Sequence, residues 1–280
     1  MRAPRLLRRV AAMPATEIRD RVAGTVRREA ARLAHRARPS GWRRGDLAAA
    51  LVPLTGEIAG AITHLSAGRA DDAHRALARH FAVRPRRWPI TPATREAVAR
   101  AIRERVPDAV TEATRRADAI AGGRFDLLGY RDLRFDPPGG DADGIDWHRD
   151  PVHDRTAPQL FWSEVPYLDP ACGDHKIIWE LNRHQHFLAL ARAWALGGHR
   201  PSRATFVRHL AGWMEANPPL VGINWASMLE LALRSISWIW ALECFVEPPD
   251  RAGLPVDPPV DAQPWIVDLL LGLDRQLHQV

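Results

Sequence analysis

Residues 224–245 constrain this chain most. Leu229, Leu231, Leu233, Ile236, Trp238, Ile239 and Trp240 put apolar side chains on most sides of a helix. A helix that is apolar nearly all round has to be enclosed by other elements. Ser227, Glu230, Arg234 and Ser237 recur at i, i+3, i+7 and i+10, so they form one polar stripe along it. A Glu and an Arg inside a buried helix are costly unless they pair or line a wet cavity. An earlier stretch repeats the arrangement: Lys176, Glu180 and Arg183 stand at i, i+4 and i+7. Two internal helices are therefore expected, with their polar stripes turned toward each other. Between them lies either a Glu–Arg network that sets helix register or a ligand cleft.

A chain of 280 residues, 46% of them hydrophobic, can bury one large core or two modest ones. Its 11 Trp outnumber its 2 Tyr and 7 Phe, and Trp147, Trp162, Trp179, Trp213, Trp225, Trp238 and Trp240 cluster around the stripes. Such rings serve as core filler or as plates for sugar stacking. The net charge of +6 is unevenly placed. Residues 1–44 carry 13 Arg against Glu17, Asp20 and Glu29, which is +10, so residues 45–280 sum to −4. Basicity belongs to the leading segment. Lys176 is the sole lysine, so the arginine excess reads as coding bias rather than phosphate binding. Nucleic acid is not expected as a partner, since no basic-aromatic ribbon, helix-turn-helix or zinc-finger pattern occurs. Cys172 and Cys244 are too few for a disulfide framework, and no run of 18 uncharged apolar residues suggests a membrane span.

Residues 1–45 read as a basic amphipathic leading segment. Pro14, Glu17, Arg19, Asp20 and Arg21 interrupt any signal-peptide core. A helix is expected over residues 16–36, with Ile18, Val22, Val26 and Leu33 as its apolar edge. Residues 1–38 are thus a candidate for membrane-surface contact, for an acidic partner or for packing on the body of the protein. Residues 46–280 read as all-α. Helices are expected over 46–68 with an interruption at Pro53, over 69–82, from Thr91 to about Arg105, and over 109–121. A short strand pair follows at 125–133, and a long irregular segment covers 135–173. Further helices are expected from Lys176 to about Ala195, over 202–215, over 224–245, and from near Asp261 onward, with a Pro-rich linker at 254–260. Connections this short join antiparallel neighbours. Without a fixed-period repeat, such pairs indicate an α/α toroid rather than a solenoid. The last helix still runs at Val280, so the chain is expected to be part of a longer protein.

Several pieces carry a resemblance: residues 125–129 (FDLLG), 145–151 (IDWHRDP), 174–186 (DHKIIWELNRHQH), 213–218 (WMEANP) and 222–234 (GINWASMLELALR). In their order and spacing they resemble the N-terminal domain of the heparinase II/III family of polysaccharide lyases. The resemblance is close over 125–245 and loose elsewhere. It implies an incomplete α/α toroid, with the family's C-terminal β-sandwich missing here. It also implies β-elimination beside a uronic acid in an acidic polysaccharide, heparan-like or alginate-like, with no cofactor. That reaction needs a donor to neutralise the substrate carboxylate as it becomes enolate-like. It also needs a base for the C5 proton and an acid for the leaving oxygen.

The resemblance places the neutralising amide on Asn224; its position also suits a plain helix N-cap. It makes Trp147, Trp179 and Trp225 candidate sugar platforms and Arg183 and Arg234 candidate substrate contacts. Lys176, Glu180 and Glu230 complete the supporting network. Tyr130 and Tyr167 do not match the family's catalytic Tyr, and no β-rich region supplies the family's His. The chain alone is therefore expected to be inactive. A non-catalytic carbohydrate-binding toroid in exopolysaccharide handling is one alternative. An α/α-barrel glycoside hydrolase using Asp146 and Asp150 is another. No metal is expected, because His148, His153, Cys172, Asp174 and His175 meet no standard zinc spacing. The resemblance implies the periplasm; the missing export signal leaves the cytoplasm as the alternative.

Overall fold

The computed structural model describes residues 13–83, 92–137, 144–246 and 264–279. They divide into two units, Met1–Gly41 and Trp42–Val280. The first holds one helix, α1 (Ala15–Ala37), none of whose residues is buried. Glu17 in its first turn and His35 and Arg36 in its last suit the helix dipole.

The second unit is made of helices. In order they are α2 (Leu47–Ala50), α3 (Gly56–Ser66), α4 (Ala70–Val83), α5 (Pro92–Arg105), α6 (Asp108–Ala121), α7 (His175–Asn182), α8 (His186–Gly197), α9 (Arg200–Ala216), α10 (Met228–Phe245) and α11 (Trp265–Gln279). Among the described residues, strand is confined to two small antiparallel hairpins. One joins β1 (Phe125–Leu127) to β2 (Tyr130–Leu133), and the other joins β3 (Arg149–Asp150) to β4 (Arg155–Thr156). The chain is all-α, as its periodicity indicated.

Local chemistry sets many of these bounds. Thr55 opens α3 by accepting from the Ile58 N–H, and Asp174 opens α7 by accepting from the Lys176 N–H. Gly198, left-handed at φ 65°, closes α8. α3 packs on α4, α6 on α8, and α10 on α11, while α8 also touches α9 and α10. Ala109, Ala113 and Ala117 make the buried face of α6 smooth enough for α8 to approach closely. On α9, Phe206 stacks on Phe245 of α10 at 4.6 Å and meets Trp265 of α11 edge-on at 5.4 Å. α11 reaches α10 because residue 272 is glycine: a Cβ there would lie 2.2 Å from Trp238 Cζ3.

Two expected elements differ. The helix expected over 176–195 is two helices, α7 and α8, broken at residues 183–185. His184 adopts a left-handed φ of 56°, which turns its ring into the core. The helix expected to open at Asn224 begins at Met228 instead, and Ile223–Trp225 forms a separate 3₁₀ turn. Asn224 is therefore not an N-cap. Thr91, Asp261, the linker at 254–260 and part of the loop over 135–144 lie outside the described residues.

Candidate functional site

The two polar stripes meet. Arg183, at the end of α7, donates from Nε and Nη2 to both carboxylate oxygens of Glu230 on α10, at 2.7 and 2.9 Å. Its Nη1 donates to Glu180 on α7. The hydrogen bonds to Glu230 raise the Arg183 pKa against the opposing effect of burial. Arg183, assigned to substrate from the sequence, is thus largely committed to two carboxylates, with part of its surface still open. Lys176 is exposed and makes no ion pair among the described residues, so it stands outside the network expected to include it.

Beneath this pair lies a buried polar cluster. Arg234 of α10 is fully buried. It donates from Nε to Gln276 Oε1 at 2.7 Å, from Nη2 to the Asn224 carbonyl at 2.7 Å and from Nη1 to the Asn182 carbonyl at 3.3 Å. Its guanidinium also lies 4.4 Å from the Trp213 ring centroid. Burial pulls its pKa down to about 9, opposed by Glu230, so it remains charged at neutral pH. As a substrate contact Arg234 is corrected: it is enclosed, and it holds the ends of α7, α11 and the 223–225 turn together. Asn182 donates to the Trp147 and Ile178 carbonyls and accepts from Trp213 Nε1 at 2.8 Å.

Asn224 is buried beside these groups. Its Nδ2 donates to the Trp147 carbonyl at 3.1 Å and to Asn217 Oδ1 at 2.8 Å. Asn217 in turn donates to the Trp213 carbonyl, which fixes the orientation of both amides. The Asn224 Oδ1 is buried without a partner among the described residues. As arranged, Asn224 presents an acceptor, whereas neutralising a carboxylate needs a donor.

The three tryptophans do not form an open platform. Trp225 is fully buried, between Trp42 at 6.0 Å and Trp213 at 6.2 Å. Trp147 is buried and stacks on His186 at 6.3 Å. Trp179 is 8% exposed, donates to the Ile223 carbonyl, meets His175 edge-on and packs against a tilted Tyr167 ring. The sequence marks these rings as apolar plates; packing made all three core, Trp179 in a second buried cluster with Ile178 and Ile223.

The hydrolase alternative loses its acid. Asp150 is fully buried. Its oxygens accept from the Val152, His153 and Asp174 backbone N–H groups and from His153 Nδ1 at 2.7 Å. It clamps the β3–β4 hairpin to the start of α7. Gly173 is required beside it, since a Cβ there would lie 2.7 Å from Asp150 Cβ.

His184 and His186, which helical spacing puts on different faces and which read as solvated or core groups more readily than as cleft partners, are core, and His209 joins them in a buried cluster. His184 accepts from Trp238 Nε1 at 2.7 Å, and His209 Nδ1 meets His186 Nε2 at 3.3 Å. Burial pushes the pKa values of His184 and His186 far down, and that of His209 to about 3. These imidazoles are neutral structural groups. Asn182, Asn217 and Gln276 were missed. Gln276 did leave a signal: it continues the spacing of buried Trp265, Leu269 and Gly272 on α11.

The family model described as "Heparinase II/III N-terminus" matches residues 58–250. Among solved structures, the heparan sulfate lyase HepC from Pedobacter heparinus is similar at 18% identity and a TM-score of 0.49. A mutant of the same enzyme gives 17% and 0.50. Both alignments cover 81% of this chain but 30% of the lyase chain. At 17% identity, the likeness at a TM-score of 0.50 shows the fold alone, an all-α toroid. No curated protein matches the chain.

Proposed function

We propose, because the chain belongs to the heparinase II/III family, that it is the toroid domain of a polysaccharide lyase. Its substrate would be an acidic polysaccharide containing uronic acid, cleaved by β-elimination. The family match over 58–250 carries this reading. The half-buried Arg183 beside Glu180 and Glu230 supports it as a charged edge near the Asn224 turn. Asn224 is the proposed carboxylate donor. In that role its Nδ2 turns from Trp147 or Asn217 toward the substrate, exchanging one protein acceptor for a charged one.

A second reading is favoured by the geometry of Asn224 itself. Both of its N–H bonds are spent within the protein, and Trp147 and Trp225 are enclosed. These features suit a toroid that binds acidic polysaccharide without cleaving it.

One experiment separates the two. The 280-residue chain is titrated with heparan sulfate and alginate oligosaccharides by calorimetry, while ultraviolet absorbance follows the unsaturated product. Product formation that falls by roughly 10²–10³ in Asn224→Ala, with binding retained, supports the lyase assignment. Binding without product is expected of this chain under both readings, because Tyr130 and Tyr167 do not match the family's catalytic Tyr. The lyase assignment then requires that Asn224→Ala weaken binding of the uronate oligosaccharides but not of their carboxyl-reduced forms. Equal weakening or none supports the second reading. Absence of both refutes acidic polysaccharide as the ligand of this domain.

A further inference from the structure

The proposed activity leaves α1 unused. It runs for 23 residues with none buried. Ile18 is 38% exposed, Val22 57%, Val26 61% and Leu33 59%. Steps of four, four and seven residues keep these side chains within one quadrant of the helix. An apolar row on a helix is ordinarily covered. Arginine borders it: Arg19 lies on one flank, and Arg21, Arg28 and Arg32 on the other. Glu29 falls within the row, and Arg32 pairs with it at 2.6 Å. Glu17 pairs with Arg21 at 2.8 Å and Asp20 with Arg19 at 3.5 Å. The helix thus neutralises its own three carboxylates and keeps a surplus of positive charge.

We propose that α1 lies flat on an anionic lipid bilayer. Ile18, Val22, Val26 and Leu33 would enter the boundary between headgroups and acyl chains, and the flanking arginines would reach the phosphates. Charge and apolarity together select this occupant. A polyanionic polysaccharide would engage the arginines but leave the valines in water. A second copy would bring another leading segment with thirteen arginines and three acidic residues against the first, and the two would repel. An anionic bilayer satisfies both faces. Its contact is at the surface, because no helix among the described residues is long and apolar enough to cross a membrane. The proposal is independent of the lyase reading.

The test is sedimentation of the full chain with phosphatidylcholine vesicles, and with the same vesicles containing phosphatidylglycerol. The anionic lipid is expected to raise the partition coefficient by about tenfold or more at low salt, and added salt to reverse this. Val22→Asp combined with Val26→Asp should return binding to the level of the neutral vesicles. Val22→Trp should strengthen it several-fold, so the proposal does not depend on a loss alone. Equal binding to both vesicle types, or to neither, overturns the proposal. So does anionic binding that survives the double Asp variant, which would mark a contact made by arginine only. Lipid-free dimerisation abolished by the same variant would assign the row to a second copy and also overturn it.

Discussion

Mild acid should remove much of the stability of this fold without touching any group proposed for chemistry. The perturbation is a drop from about pH 7.5 to about pH 5. Histidine in an unfolded chain titrates near 6.5. Burial lowers His74 to about 4, helped by Arg203 and Arg75 and opposed by Asp71, and lowers His209 to about 3. His184 and His186 are pushed well below their usual value, chiefly by burial; His186, Arg234 and His209 add to it at His184, and His209 and Arg116 add to it at His186. Contacts agree with neutral rings: His74 Nδ1 accepts the Ile266 N–H, and His184 Nδ1 accepts from Trp238. Below 6.5 the unfolded state binds protons that the folded state refuses. Stability is therefore complete above that pH and falls as pH drops toward the folded values. At about pH 5 His74 and His209 cost roughly 2 kcal/mol each, about 4 together, and His184 and His186 act in the same direction. A domain has roughly 5–15 kcal/mol in all. Urea unfolding followed by tryptophan fluorescence across this range measures the loss. His209→Gln, which can still hydrogen-bond His186, should reduce it by about 2 kcal/mol. Stability that is flat between these pH values, or a variant as acid-sensitive as the parent, would refute the neutral-cluster argument.

Two further predictions test the packing around the site. Arg234→Met should cost about 3–5 kcal/mol, because Gln276 and the carbonyls of Asn182 and Asn224 lose their donors inside the core. Arg234→Lys should not restore it, since an ammonium cannot reach all three acceptors in the guanidinium's plane; full stability in either variant, read from the urea midpoint, counts against that role. Gly272→Ala should destabilise by about 1–3 kcal/mol by driving a methyl into Trp238, and Trp238→Phe in the same chain should recover part of the loss.

Much of the architecture was legible in residues 92–121 and 200–245. There the apolar period and the Pro and Gly boundaries mark helices whose observed ends fall within a few residues of expectation. The leading helix was equally plain from Ile18, Val22, Val26 and Leu33. The match between residues 125–245 and a known lyase domain rested on residue order, which a linear text preserves. The break at 183–185 left no such mark. It contains no Gly or Pro, and His184 turns left-handed where Trp238, far along the chain, offers it an N–H.

The stripe residues show the same division. That Glu230 and Arg234 occupy an interior helix was settled by the apolar residues around them. Their partners were not. Glu230 found a cation on α7, while Arg234 found carbonyls and an amide drawn from three other segments. Trp147 and Trp225 were identifiable as large apolar plates, yet enclosure made them core. Which stretches coil and which of their faces must leave water can be read in linear order, because both follow from neighbours three or four residues away. Which buried donor meets which acceptor cannot be read that way. That depends on the segments that converge on each polar atom once desolvation makes an unmade hydrogen bond too costly to leave.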